Sequence, residues 1–152
     1  MFRSALVRQA FFAATLVAAV GATHASGPTA AGRWLQVSDT DGKPRSILRI
    51  DEHDGIYEAV VEKIFLKPGE DADPVCDKCT DTRKGQRVTG MRIMNGLRRE
   101  GLTYEGGQIL DPDNGKVYQA KAKLSADGQS LEVRGFIGIS LIGRSQIWKR
   151  EN

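Results

Sequence analysis

The chain has 152 residues, 22 basic and 19 acidic, for a formal charge of +3, and 40% of its residues are hydrophobic. That size suits one domain around one core. Acidic and basic residues are interspersed with no long run of either sign, which argues against a nucleic-acid partner and for an ordinary solvated surface.

Met1 to Arg8 carries Arg3 and Arg8 and no acid, Ala10 to Ala22 is apolar, and Thr23-His24-Ala25 offers small residues at cleavage positions. This pattern predicts a signal peptide over residues 1–25, cut after Ala25, with Ala22 the less favoured site. The apolar run is too short for a comfortable membrane span, and no later stretch approaches one. Removing 25 residues from 152 leaves 127, a single domain over residues 26–152. Arg3 and Arg8 leave with the leader and no acid does, so the charge falls from +3 to +1. The expected location is the periplasm or the secreted medium.

Gly32 to Val37 reads as a first strand, followed by a turn at Asp39-Thr40-Asp41-Gly42. Ser46 to Ile50 is the second strand, and Asp54-Gly55 closes a hairpin into a third over Ile56 to Phe65, with Tyr57, Ala59 and Val61 facing inward. Lys67 to Gln86 holds both cysteines, two prolines and many charges but almost no apolar residue, and connections of this length usually serve a function or are disordered. Val88 to Leu97 and Leu102 to Leu110 are further strands, the second bending at Gly106-Gly107. Asp111-Pro112-Asp113-Asn114-Gly115 is a dense turn signal. Lys116 to Leu124 alternates, with Tyr118, Ala120, Ala122 and Leu124 on one face.

Leu131 to Arg150 reads as two adjacent strands. Leu131, Val133, Gly135, Ile137, Ile139 and Leu141 form one period-2 series, and Gly135, Gly138 and Gly143 mark bends. With no amphipathic helix to cover such a face, the sheet must bury it against itself. The prediction is an all-β fold, a closed up-and-down antiparallel barrel of about eight strands.

A barrel of this size either holds one small ligand or is filled by its own side chains. Small inward residues (Ala59, Ala120, Ala122, Gly106, Gly135) leave space; large ones (Trp34, Tyr57, Tyr104, Tyr118) take it up. Both outcomes remain open at this stage.

Cys76-Asp77-Lys78-Cys79 is the sharpest local signal. In an exported protein, two cysteines and no third point to one disulfide, worth about 2 kcal/mol for so short a loop. The alternative is a redox dithiol, in which Lys78 would favour a thiolate and Asp77 oppose it. No helical pattern follows the cysteines as a thioredoxin-type site requires. Zinc needs four ligands, and beyond the cysteines the mature chain offers only His53. The Asp111–Gly115 turn hints at calcium but departs from the EF-hand order. No serine sits in a nucleophile elbow, and the paired acids share one turn rather than facing across a cleft. No catalytic residue, cofactor or metal is assigned.

Gly32-x-Trp34 on a first strand resembles the opening of lipocalins and related barrels. That resemblance implies a tryptophan near the closed base with a basic residue of the last strand across its ring. Arg144 and Arg150 both qualify, and Arg144 is preferred because Gly143 beside it allows close approach. Gly32, Trp34, Arg144 and Trp148 are the expected closure residues.

Lys67-Pro68-Gly69-Glu70, Pro74-x-Cys76-x-x-Cys79, Gly107-x-Ile109-Leu110-Asp111-Pro112-x-Asn114-Gly115-Lys116-x-Tyr118, Leu131-x-Val133-Arg134-Gly135-Phe136-Ile137-Gly138 and Gly143-Arg144-x-Gln146-x-Trp148 together resemble the domain-of-unknown-function family twenty-one forty-seven. The resemblance runs from Gly32 to Arg150. It implies a small exported bacterial protein with a lipocalin-like barrel, and no catalytic residue. The leading functional expectation is a non-enzymatic binding barrel for a small apolar or amphipathic molecule, held by Tyr57, Ala59, Tyr104, Tyr118 and Ala120. The alternatives are an envelope module that meets a partner protein through loop 67–86, and a thiol–disulfide protein using Cys76 and Cys79.

Overall fold

Strand burial alternates as the period-2 pattern requires, with Tyr57, Ala59 and Val61 buried in one strand and Leu131 and Val133 in another. The computed structural model describes residues 27–152; the signal peptide expected over residues 1–25 lies outside the described residues. Eight strands follow in order: β1 Gly32–Val37, β2 Pro44–His53, β3 Ile56–Ile64, β4 Arg92–Glu100, β5 Thr103–Asp111, β6 Lys116–Leu124, β7 Ser130–Phe136 and β8 Gly143–Glu151. Each pairs antiparallel with the next, and β8 returns to β1 through Arg33↔Glu151, Trp34↔Arg150 and Leu35↔Lys149, closing the barrel. This seam of three residue pairs turns the sheet back on itself, so β1 and β8 are not left as the open edges of a flat sheet.

One end is sealed. Residues 27–31 cross it: the Trp34 indole donates to the Ala30 carbonyl at 2.8 Å, and the Ala30 amide donates to the Tyr104 hydroxyl at 2.8 Å. Above this plug, Tyr57 and Tyr104 meet edge to face, ring centroids 4.9 Å apart at 78°. Trp34, Tyr104, Leu97, Leu124 and Leu131 are essentially solvent-free, each contributing about 1.5–3 kcal/mol by burial. The large rings occupy the room that Ala59, Ala120 and Ala122 leave, so this half of the interior is packed.

Two expectations need correction. β4 begins at Arg92 rather than Val88, because Gly90 adopts φ 88° and the Met91 amide turns back to the Val88 carbonyl at 3.0 Å. Ile137, Ile139 and Leu141 do not extend the inward series of β7. The β7–β8 ladder ends at Phe136↔Gly143. Gly138 at φ 71° and a hydrogen bond from the Ile142 amide to the Ile139 carbonyl at 3.0 Å then fold residues 137–142 into a tip. Arg134 fastens that tip, donating to the Ser140 and Leu141 carbonyls at 2.7 and 3.3 Å. Its aliphatic side chains face solvent, Leu141 with 85% of its surface exposed.

Candidate functional site

The end opposite the plug is open and leads into a cavity of about 930 Å³, within the size range of small-molecule sites. Its wall is divided by chemistry. Val61 on β3, Ile93 on β4, Ile109 on β5, and Val133 and Phe136 on β7 present an apolar side. Across from them, the adjacent strands β8, β1 and β2 present Gln146, Gln36 and Ser46, with Trp148 and Leu48 beside them.

The polar side is a connected chain. Ser46 Oγ donates to Gln36 Oε1 at 2.6 Å, and Gln36 Nε2 donates to Gln146 Oε1 at 2.7 Å. The Trp148 indole N–H reaches the same Gln146 oxygen at 3.4 Å. No described side-chain nitrogen or oxygen is buried without a partner, so the wall avoids the penalty of unsatisfied polar groups. Tyr118 adds a phenol whose oxygen accepts from Asn114 Nδ2 at 3.0 Å. Gly135 lies beside it; a side chain there would meet Ile109 at 3.4 Å and Tyr118 at 3.5 Å, so its bareness keeps this part of the interior free.

The rim is charged. Arg144 pairs with Asp39, Lys67 with Asp41 at 3.6 Å, and Arg45 with Glu70 at 3.1 Å. The Lys67 amide and the Arg45 guanidinium hold the Glu70 carboxyl below its ordinary range; hydrogen bonds from Ser38 and the Lys43 amide do the same for Asp41.

The long connection forms one side of the mouth. Cys76 and Cys79 are joined in a disulfide and have 0% and 1% of their surface exposed. The bridge packs on the β5–β6 turn, where Lys78 Nζ donates to the Asp113 carbonyl at 2.8 Å. Gly115, at φ 74°, lies so near the Lys78 carbonyl that any side chain would overlap it. The carboxylate of Asp111 accepts from the Asp113 amide and Asn114 Nδ2 at 2.9 and 2.8 Å. The residues that hinted at calcium are thus engaged in closing their own turn.

Four of the expected ligand contacts lie elsewhere. Tyr57, Ala59, Tyr104 and Ala120 are buried in the packed half beneath the cavity, and of that set only Tyr118 lines it. Periodicity gives the face of a residue but not its height in the barrel. Burial pushes the Tyr104 phenol up from its ordinary value of 10.0, against the opposing effect of its bond to Ala30.

The closure cation is Arg150, not Arg144. Its guanidinium lies 4.3 Å over the Trp34 ring and donates to the Gly128, Ala31 and Thr29 carbonyls at 2.6, 3.0 and 2.6 Å. Arg150 pairs with Trp34 across the β1–β8 seam, whereas Arg144 stands at the far end of β8, where it meets Asp39. Gly32 belongs to this closure: at φ 129°, an added side chain would meet the Arg150 guanidinium at 2.7 Å. Trp148, expected with the closure, lines the cavity instead.

Sequence reasoning missed Gln36, Ser46 and Gln146, although a signal was present. Each stands two residues from a buried inward side chain — Trp34, Leu48 and Trp148 respectively — and so shares its face.

A model of the family described as uncharacterized protein conserved in bacteria (DUF2147) matches residues 32–150. No curated protein matches the sequence. Among solved structures the fold is similar to that of the protein described as "Protein HP1028 from the human pathogen Helicobacter pylori belongs to the lipocalin family". The TM-score is 0.71 at 18% identity, over 82% of this chain and 84% of that one. At that identity the likeness is one of fold.

Proposed function

This chain belongs to the DUF2147 family of uncharacterized bacterial proteins, and from that premise we propose that it is an exported binding barrel, without catalytic activity, that holds a small apolar or amphipathic molecule in its open half. The observation that carries this reading is the cavity of about 930 Å³ with an apolar side facing a hydrogen-bonded polar one. A barrel selected only for stability would fill such space, because empty volume forfeits packing contacts. The leader pattern of residues 1–25 supports a periplasmic or secreted location. Burial of both sulfurs weighs against thiol exchange, which needs an accessible sulfur.

Native mass spectrometry of the purified protein after soaking in bacterial lipid extracts tests the proposal. Protein carrying one small-molecule adduct is the expected result. Only ligand-free protein across extracts of differing polarity would overturn it.

A second reading, an envelope module that meets a partner protein, is favoured by the exposed aliphatic tip of residues 137–142. In loop 67–86 the disulfide is buried beside the β5–β6 turn, which leaves mainly charged and polar residues exposed for such a contact. A crosslinked partner that persists with the cavity blocked and is lost on Leu141→Ser would support this second reading.

A further inference from the structure

The polar wall and the rim together restrict the class of ligand, an inference that rests on the binding reading above. The deep wall is uncharged. It offers hydrogen-bonding capacity that its internal bonds leave over: one N–H each of Gln36 Nε2 and Gln146 Nε2, and the lone pairs of Ser46 Oγ, while Tyr118 on β6 adds a hydroxyl proton beside the β5–β6 turn. These are donors and an acceptor within one cavity, a match for a group that is itself both, such as a hydroxyl or an amide.

The charges nearby disfavour an ionised head. Every cation that lines the cavity (Arg45, Lys67, Arg144) already has a carboxylate partner. Of the lining acids, Asp71, Asp111 and Asp113 have no ion-pair partner among the described residues. An anionic head would therefore be desolvated without a free cation and beside surplus negative charge. A cationic head would find attraction chiefly at the solvated rim, where screening weakens it; the carboxylate that touches the wall, Asp39 on Gln146 Nε2 at 3.4 Å, is already paired with Arg144.

We infer that the cavity takes a neutral amphipath, its hydroxyl or amide head on the Gln36–Ser46–Gln146 wall and its apolar body against Val61, Val133 and Phe136. Alkyl alcohols, amides and similar uncharged lipid-like molecules belong to this class; ionised fatty acids do not.

The test is displacement of the neutral fluorescent probe N-phenyl-1-naphthylamine from the mature protein at pH 7.5. The competitors are dodecanol below its solubility limit, and dodecanoate and dodecylammonium below their micellar concentrations. Equal chain length makes the head the sole variable. Dodecanol should displace the probe at a concentration at least about tenfold lower than either ion, the cost of leaving one charged group poorly solvated. In Ser46→Ala, and in the double variant Gln36→Leu with Gln146→Leu, the preference for dodecanol over the two ions should shrink severalfold, each competitor being scored against the probe affinity of the same variant. Dodecanoate or dodecylammonium matching or exceeding dodecanol would overturn the neutral-head assignment and leave the binding reading standing. So would a preference unchanged in Ser46→Ala, which removes one hydroxyl and preserves the fold if the double variant does not. Failure of the probe to bind at all would overturn the binding reading, and this inference with it.

Discussion

Replacing Arg150 with alanine tests how the barrel is shut. Its guanidinium makes three hydrogen bonds to backbone carbonyls of the plug and the β6–β7 turn, at 2.6–3.0 Å, and lies 4.3 Å over Trp34. Hydrogen bonds from a charged group contribute about 1.5–3 kcal/mol each when buried, and the cation–π contact about 0.5–2 kcal/mol. Arg150 is only partly buried, so water recovers part of each carbonyl's bonding, and halving the lower figures leaves about 2.5 kcal/mol. That is a large share of the roughly 5–15 kcal/mol that stabilises a domain. Urea unfolding followed by tryptophan fluorescence reads it, since Trp34 and Trp148 are both buried. The midpoint should fall with the slope unchanged. Arg150→Lys should recover less than half the loss, because an ammonium cannot reach three divergent carbonyls in one plane. Arg144→Ala, which removes an exposed pair with Asp39, should cost at most about 1 kcal/mol. A loss below about 1 kcal/mol for Arg150→Ala, or an equal loss for Arg144→Ala, would refute the closure argument.

Val133→Phe adds a ring inside the cavity: probe affinity should drop at least about tenfold, and stability should stay within about 1 kcal/mol because the ring enters empty space. Gly115→Ala should cost about 2–3 kcal/mol in urea unfolding, combining left-handed strain with overlap on the Lys78 carbonyl. Gly42→Ala, at φ 66° with nothing within 4 Å, should cost only about 1 kcal/mol. Tyr104→Phe should cost about 1–2 kcal/mol at neutral pH by orphaning the Ala30 amide. The folded-state pKa of Tyr104 is raised, so its contribution is complete below the unfolded pKa near 10 and is lost as pH rises beyond it. Melting temperature between pH 8 and 11 should therefore fall less steeply in the phenylalanine variant than in the parent, and parallel slopes would count against this account.

Strand number, antiparallel order and closure were legible because they depend on local pattern. Alternation sets the faces, Asp54-Gly55 and Asp111–Gly115 set the turns, and a one-sided sheet without helices can satisfy its edges only by meeting itself. The glycine and tryptophan of the closure were legible from the resemblance of Gly32-x-Trp34 to lipocalin openings, and the pairing of the two cysteines from the want of a third. The aliphatic run after Gly135 misled, because period-2 spacing continues through residues 137–141 whether or not a partner strand does. Only the β7–β8 register shows the ladder stopping at Phe136.

Within the paired strands, the sequence by itself determined which residues face inward. Tertiary structure alone decided how deep each one lies, and depth separates the packed half, where Tyr57 meets Tyr104, from the open half, where Gln36, Ser46 and Gln146 join. It also decided which arginine of β8 reaches Trp34. The physical reason is that a strand's side-chain period is a property of its own backbone, whereas height along the barrel axis is set by stagger between strands. Stagger is fixed by the bulges and seam pairings of the closed ring, and no single segment carries that information.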